Sequence, residues 1–117
     1  MKLYQYPKCS TCRKAVKFLK ERNIQFESLD ITEQPPSPAE LKVMLNSYAG
    51  NIKKLFNTSG VVYRELNIKD KIADMQVDEA IELLVTNGKL IKRPFLLEGD
   101  NGIVAFNAEL WGDFVNV

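Results

Sequence analysis

Two cysteines with two residues between them, Cys9 and Cys12, stand where a strand pattern hands over to a helical one. No other feature of the chain constrains its fold as much. Residues 2–6 read as a short first strand, and Cys9-Ser-Thr-Cys12 is the turn that follows it. A helix then runs to about Arg22, with Ser10 or Thr11 in the N-cap position and Cys12, Ala15, Val16 and Leu19 on one face at helical spacing. Residues 25–29 read as a second strand. The chain therefore opens β-α-β with the cysteine pair at the strand-to-helix junction.

Pro35 and Pro36 mark a loop, after which a helix starts cleanly. Ser37 is its N-cap, Pro38 its first residue and Glu40 the third residue of a capping box. Leu41, Met44, Leu45 and Tyr48 form its apolar stripe, and Gly50 ends it. From there to Lys89 the pattern stays helical but broken, with pieces near 52–56 and 62–66 and a longer helix over 77–86 stopped by Asn87-Gly88. The tract 69–74 mixes charges and reads as a solvated face. A hairpin follows Arg93-Pro94: residues 95–97, a turn over 99–102 in which Asn101-Gly102 supplies positive backbone angles, and residues 103–106. Asn107 caps a final helix whose Trp111 and Phe114 face the core. The order is β-α-β, a helical insert at about 34–90, then β-β-α, in one domain spanning 1–117.

Composition removes several kinds of chemistry. Histidine is absent, which excludes Ser-His-Asp and Cys-His catalysis and every zinc site that needs imidazole. Two cysteines cannot build a four-thiolate zinc site within one chain. The net charge of +1 carries no nucleic-acid footprint and no attraction to anionic lipid. No arginine lies six residues after either cysteine, and there is no Gly-rich phosphate loop. The first residues hold no apolar stretch of signal-peptide length, and no window approaches the ~20 apolar residues of a membrane helix. The expectation is a monomeric cytoplasmic protein without bound cofactor, in a compartment where a close cysteine pair is catalytic or sensing rather than structural.

The cysteine pair is the strongest candidate for chemistry. A cysteine at a helix N-terminus faces unpaired backbone N–H groups and the positive end of the helix dipole. Both favour thiolate and can bring the pKa from about 8.5 to between ~3.5 and ~7.5. Lys8, Arg13 and Lys14 add positive charge nearby. Cys9 is the outer residue and the expected nucleophile; Cys12, one turn in, is suited to resolve a mixed disulfide. Pro94 belongs at the start of its strand, because proline cannot sit inside a sheet ladder. Arg93 before it offers a guanidinium that can hold an anion or stabilise a thiolate.

Taken together these residues resemble the arsenate reductase-like (ArsC/Spx) family, a glutaredoxin-related branch of the thioredoxin superfamily. The resemblance covers essentially the whole chain. It rests on Tyr-Pro-Lys-Cys9-Ser-Thr-Cys12-Arg-Lys-Ala15, Asp30-Ile31-Thr32, Phe56-Asn-Thr-Ser-Gly60, Tyr63-Arg-Glu-Leu66 and Leu90-Ile-Lys-Arg93-Pro94. It implies an α/β, thioredoxin-like fold with a central mixed four-stranded sheet, and a cis Pro94 beside the cysteine turn. For the reductase branch it implies Cys9 as nucleophile, an oxyanion or disulfide substrate held by Arg93, and glutathione, thioredoxin or glutaredoxin as reductant. Asn57 stands where that branch places a further arginine. Lys8, Ser10, Thr11, Arg13, Asn57 and Pro94 are the expected substrate-lining residues. For the Spx-like branch the resemblance implies a redox-switched regulator of the RNA polymerase α subunit, with Gly50 near the position of its contacting glycine.

Overall fold

The computed structural model describes residues 1–116. Its centre is a four-stranded sheet of order β2-β1-β3-β4, formed by β1 (Lys2–Gln5), β2 (Glu27–Asp30), β3 (Phe95–Glu98) and β4 (Asn101–Val104). β1 runs parallel to β2 and antiparallel to β3, and β3 runs antiparallel to β4, so the sheet is mixed as expected. Side chains alternate across it. Leu3 and Leu96 face one side, where Ala15, Phe18 and Leu19 of α1 (Ser10–Glu21) and Trp111 of α6 (Ala108–Val115) cover them. Tyr4, Phe95 and Leu97 face the other, where α2 (Pro38–Ser47), α3 (Val61–Glu65), α4 (Ile68–Lys71) and α5 (Val77–Thr86) close a larger core. Short 3-10 turns at Ile52–Leu55, Ile72–Asp74 and Gly88–Leu90 join these helices. Among the described residues no helix is long and apolar enough to cross a membrane.

Where local chemistry decides, the elements fall as the residues dictate. Ser37 accepts from the Glu40 N–H while the Glu40 carboxylate accepts from the Ser37 N–H, which completes the capping box. Asn107 accepts from Leu110 N–H at 3.0 Å and starts α6. Helix α5 has the expected bounds.

Three expectations need correction and one needs completing. The N-cap of α1 is Cys9, not Ser10 or Thr11, because the preceding turn delivers the chain into the helix one residue earlier. The buried face of that helix also takes in Phe18, and Val16, half-buried, packs against the same cluster. β2 begins at Glu27, not Gln25: Glu27 N–H reaches Met1 C=O at 2.9 Å and sets the register Lys2↔Glu27, so residues 25–26 are connecting chain. The hairpin turn is Gly99-Asp100, with Gly99 at φ +57°, whereas Asn101 and Gly102 pair in the ladder with Glu98 and Leu97. A two-residue loop with glycine at its first position suits the twist of the strands, so Asn-Gly is not needed there. The tract 69–74 is largely solvated, and it is also helical, anchored by buried Ile68.

Glu40 ties the insert to the sheet edge. Its carboxylate accepts from Tyr4 Oη at 2.8 Å and from Lys2 Nζ at 3.2 Å as well as from the Ser37 amide. Burial opposes its ionisation, but these donors outweigh burial and hold it below the ordinary glutamate value. A depressed carboxyl contributes stability that is present above its unfolded pKa of about 4.3 and is lost as pH falls through the lower folded value. Glu40→Gln is therefore expected to shallow the acid side of the stability profile, measured by urea titration at several pH values.

Candidate thiol site

The thiol turn is built by proline chemistry. Tyr6-Pro7-Lys8-Cys9 closes a β-turn in which Cys9 N–H donates to Tyr6 C=O at 2.9 Å, and Pro7 presets the backbone angle at its second position. Arg13 Nη1 reaches back to Pro7 C=O at 3.2 Å and clamps the turn to the first turn of α1. The clamp holds Cys9 at the N-cap with extended backbone angles.

The two sulfurs occupy different surroundings. Cys9 is half-buried, while Cys12 is 0% exposed in the core beneath it. Burial works against ionising Cys9. The N–H of Cys12, the Cys12 thiol, the Thr11 N–H and the Arg93 charge outweigh burial and bring Cys9 below an ordinary thiol. The Cys9 thiol closes no full capping hydrogen bond, so the effect is that of amides facing the sulfur at a free helix end. Burial pushes Cys12 up to about 12, with the Cys9 sulfur adding to the rise, although Tyr6 N–H approaches its Sγ at 3.5 Å.

Arg93 reaches this turn from the start of the neighbouring strand β3, whose Phe95 pairs with Tyr4 at the same end of the sheet. Asn57 N–H donates to Leu90 C=O and Lys92 N–H to Leu55 C=O, each at 2.7 Å, around an antiparallel bridge between Phe56 and Ile91. This short ladder fixes the chain just before the cis Arg93–Pro94 bond. The guanidinium lies 4.9 Å from the centre of the Tyr6 ring, and its Nη1 is buried with no hydrogen-bond partner. Pro94 is buried, and its C=O accepts from Ala105 N–H at 3.0 Å. Arg93→Met is expected to raise the Cys9 thiol, read as an upward move in the pH midpoint of alkylation.

Of the residues expected to line the site, Arg93 comes to the thiol turn and Asn57 to its flank, while Pro94 is buried behind Arg93 and is not part of the groove wall. Asn57 and Arg93 share the wall of a groove of about 460 Å³. Thr11 contributes its N–H. Lys8, Ser10, Arg13 and Lys14 are exposed; the charge acting on Cys9 is Arg93, and Arg13 serves the turn instead. Sequence reasoning overlooked Tyr6, whose N–H, C=O and ring each serve the site, and Glu65 and Lys89, which also line the groove. The Tyr-Pro-x-Cys spacing is a turn signal that could have found Tyr6. Nothing local marks the other two. Among the described residues no group of three metal-ligating side chains could hold a metal ion.

A mixed sheet with helices on both faces and a Cys-x-x-Cys pair at the head of the first helix defines a thioredoxin-like α/β protein. The ArsC family model matches residues 4–114, so the chain belongs to the ArsC family. It is 48% identical over 106 residues to the YusI protein of Bacillus subtilis, covering 91% of this chain and 90% of that one. It is 32% identical over 104 residues to the regulatory protein MgsR of the same organism, covering 89% and 81%. A possible arsenate reductase from Streptococcus mutans superimposes with a TM-score of 0.88 at 38% identity, covering 97% of each chain.

Proposed function

We propose that this protein is a thiol–disulfide oxidoreductase in which Cys9 attacks and Cys12 resolves. The observation that carries the proposal is the division between the sulfurs: one thiol lowered at a helix N-terminus, the other raised in the core. The Cys9 thiolate attacks one sulfur of a disulfide R–S–S–R, forming Cys9–S–S–R and expelling RS⁻. The Cys12 proton goes to that thiolate or to water, and Cys12 Sγ then attacks Cys9 Sγ, expelling the second RS⁻. Two electrons pass from the dithiol to the substrate. The order is favoured electrostatically. The Cys9 sulfur raises Cys12 in the reduced protein, and that opposition falls away once Cys9 is tied up in the mixed disulfide.

Arg93 steadies the thiolate or an anionic substrate group, with Pro94 behind it, and Thr11 and Asn57 line the approach. Glutathione, thioredoxin or glutaredoxin restores the dithiol in the cytoplasm. The test is to mix prereduced protein with hydroxyethyl disulfide and weigh the products. Two small thiols released per chain and a protein lighter by two hydrogens support the proposal; no intramolecular disulfide under any oxidising condition ends it.

A second reading is favoured by the 32% identity to a regulatory protein. Here the same cysteine pair is a switch that controls binding to the RNA polymerase α subunit, with no turnover. Binding that changes on oxidation supports it; no binding in either redox state removes it.

A further inference from the structure

We propose that a second groove, between α5 and the chain from Leu66 to Met75, docks an amphipathic helix of a partner protein that carries lysine or arginine beside its apolar stripe. The site stands apart from the exchange chemistry, since it shares no lining residue with the groove at Tyr6 and Arg93.

The groove holds about 580 Å³. One wall is a face of α5, on which Glu79, Glu82, Leu83 and Thr86 stand at the i, i+3, i+4, i+7 spacing of a single helical stripe. At 1.5 Å per residue that wall runs about 10 Å, or about two helical turns. The other wall is the tract after α3, whose mixed charges at 69–74 bring Lys71 and Asp74 to the groove. A cleft between helical walls suits a helix whose own anchors recur at the same spacing.

Two observations fix the chemistry of the occupant. The lining is apolar at Leu66, Met75 and Leu83; Leu66 is 40% exposed, and the other two are half-buried. Covering such side chains is favourable, and methionine adapts its shape to what covers it. The rim is acidic, with Asp74, Glu79 and Glu82 against the single cation Lys71. None of these four is neutralised by the fold, since the ion pairs among the described residues are Met1–Glu98, Lys2–Glu40 and Lys17–Glu21. Three carboxylates repel an anionic partner, and a second copy of this chain would bring the same acidic rim to the contact. A small cation would satisfy the rim and leave the apolar lining uncovered. A basic amphipathic helix answers both.

The probe is a fluorescein-labelled dodecapeptide of leucine and lysine with its leucines in one helical stripe, titrated with the protein and followed by anisotropy. Its controls are a counterpart with glutamate for lysine and a scrambled sequence of the same composition. Wild-type protein is expected to bind the striped lysine peptide at least about tenfold more tightly than either control. Glu79→Gln/Glu82→Gln is expected to weaken that binding about fivefold and Leu66→Ser about threefold. Glu109→Gln/Asp113→Asn, the same change of charge at exposed sites of α6, should leave it within about twofold. The proposal is wrong if the striped peptide fails to bind, if either control binds as tightly, or if the α6 variant weakens binding as much as the α5 variant. Sedimentation velocity of the wild-type protein alone covers the remaining occupant: self-association that Leu66→Ser abolishes would make the groove a contact between copies and overturn the proposal as well.

Discussion

Cys9→Ser is expected to slow exchange with a small disulfide by at least about 10³-fold, because a hydroxyl cannot replace the thiolate as attacking group. Cys12→Ser is expected to act differently. Its Cys9 still faces the Thr11 and Cys12-position amides and the Arg93 charge, so the first attack continues. What disappears is the resolving sulfur, and the protein should accumulate as the Cys9 mixed disulfide, heavier by one substrate half. Mass spectrometry of the two variants after identical exposure to hydroxyethyl disulfide checks both outcomes. An unmodified Cys12→Ser protein, or an active Cys9→Ser protein, would reverse the assigned roles.

The largest structural effect is expected at Gly88. A Cβ there would lie 1.9 Å from Ile31 C=O oxygen, 2.8 Å from Ile31 carbonyl carbon and 3.0 Å from Thr32 Cα, all of it backbone. Ile31 cannot easily yield: it is 0% exposed and its N–H bonds Gln5 C=O at 3.0 Å, extending the β1–β2 ladder. On the other side Gly88 leads directly into Leu90 and Ile91, both fully buried, and then to Arg93. Gly88→Ala must therefore separate the insert from the sheet edge, at a cost of about 3 kcal/mol or more, the upper end for overpacking. That is a large part of the ~5–15 kcal/mol by which domains are stable. Urea titration should show a much lower midpoint. Gly102→Ala is the useful contrast, since its Cβ would meet only side-chain ends, Met44 Sδ and Cε at 2.7 Å and Leu97 Cδ2 at 3.3 Å, which yield more readily than backbone.

The same position shows what a sequence can and cannot display. Asn87-Gly88 reads correctly as the end of a helix, a local matter of backbone and capping. That Gly88 is required by an oxygen belonging to Ile31, far away in the chain, is a tertiary fact with no local trace. Ser37, Asn107 and the bounds of α5 were legible for the same reason that Gly88's packing was not: short side chains bonding to the next turn leave their pattern in adjacent residues. The start of β2 was misjudged because register is set by pairing with Met1 and Lys2 rather than by residues 25–26 themselves.

At the site, the cysteine pair and Arg93-Pro94 stand out as motifs. Cys9 as N-cap was hidden by Ser10 and Thr11, whose hydroxyls are better cap acceptors than a thiol. The Tyr6–Cys9 turn overrides that preference by fixing where the helix begins. Glu65 and Lys89 line one groove with Tyr6 because α3 packs against the 3-10 turn at Gly88–Leu90, a tertiary contact.

The division of labour between the two sulfurs is tested most directly by the pH dependence of alkylation at each cysteine, resolved by peptide mass mapping of the reduced wild-type protein. Cys9 should be modified with a midpoint below the ordinary thiol value of about 8.5. Cys12 should stay protonated until pH approaches its raised value of about 12. If the two thiols titrate together near the ordinary value, or if Cys12 reacts at the lower pH, the sulfurs are not divided into attacker and resolver, and the account fails.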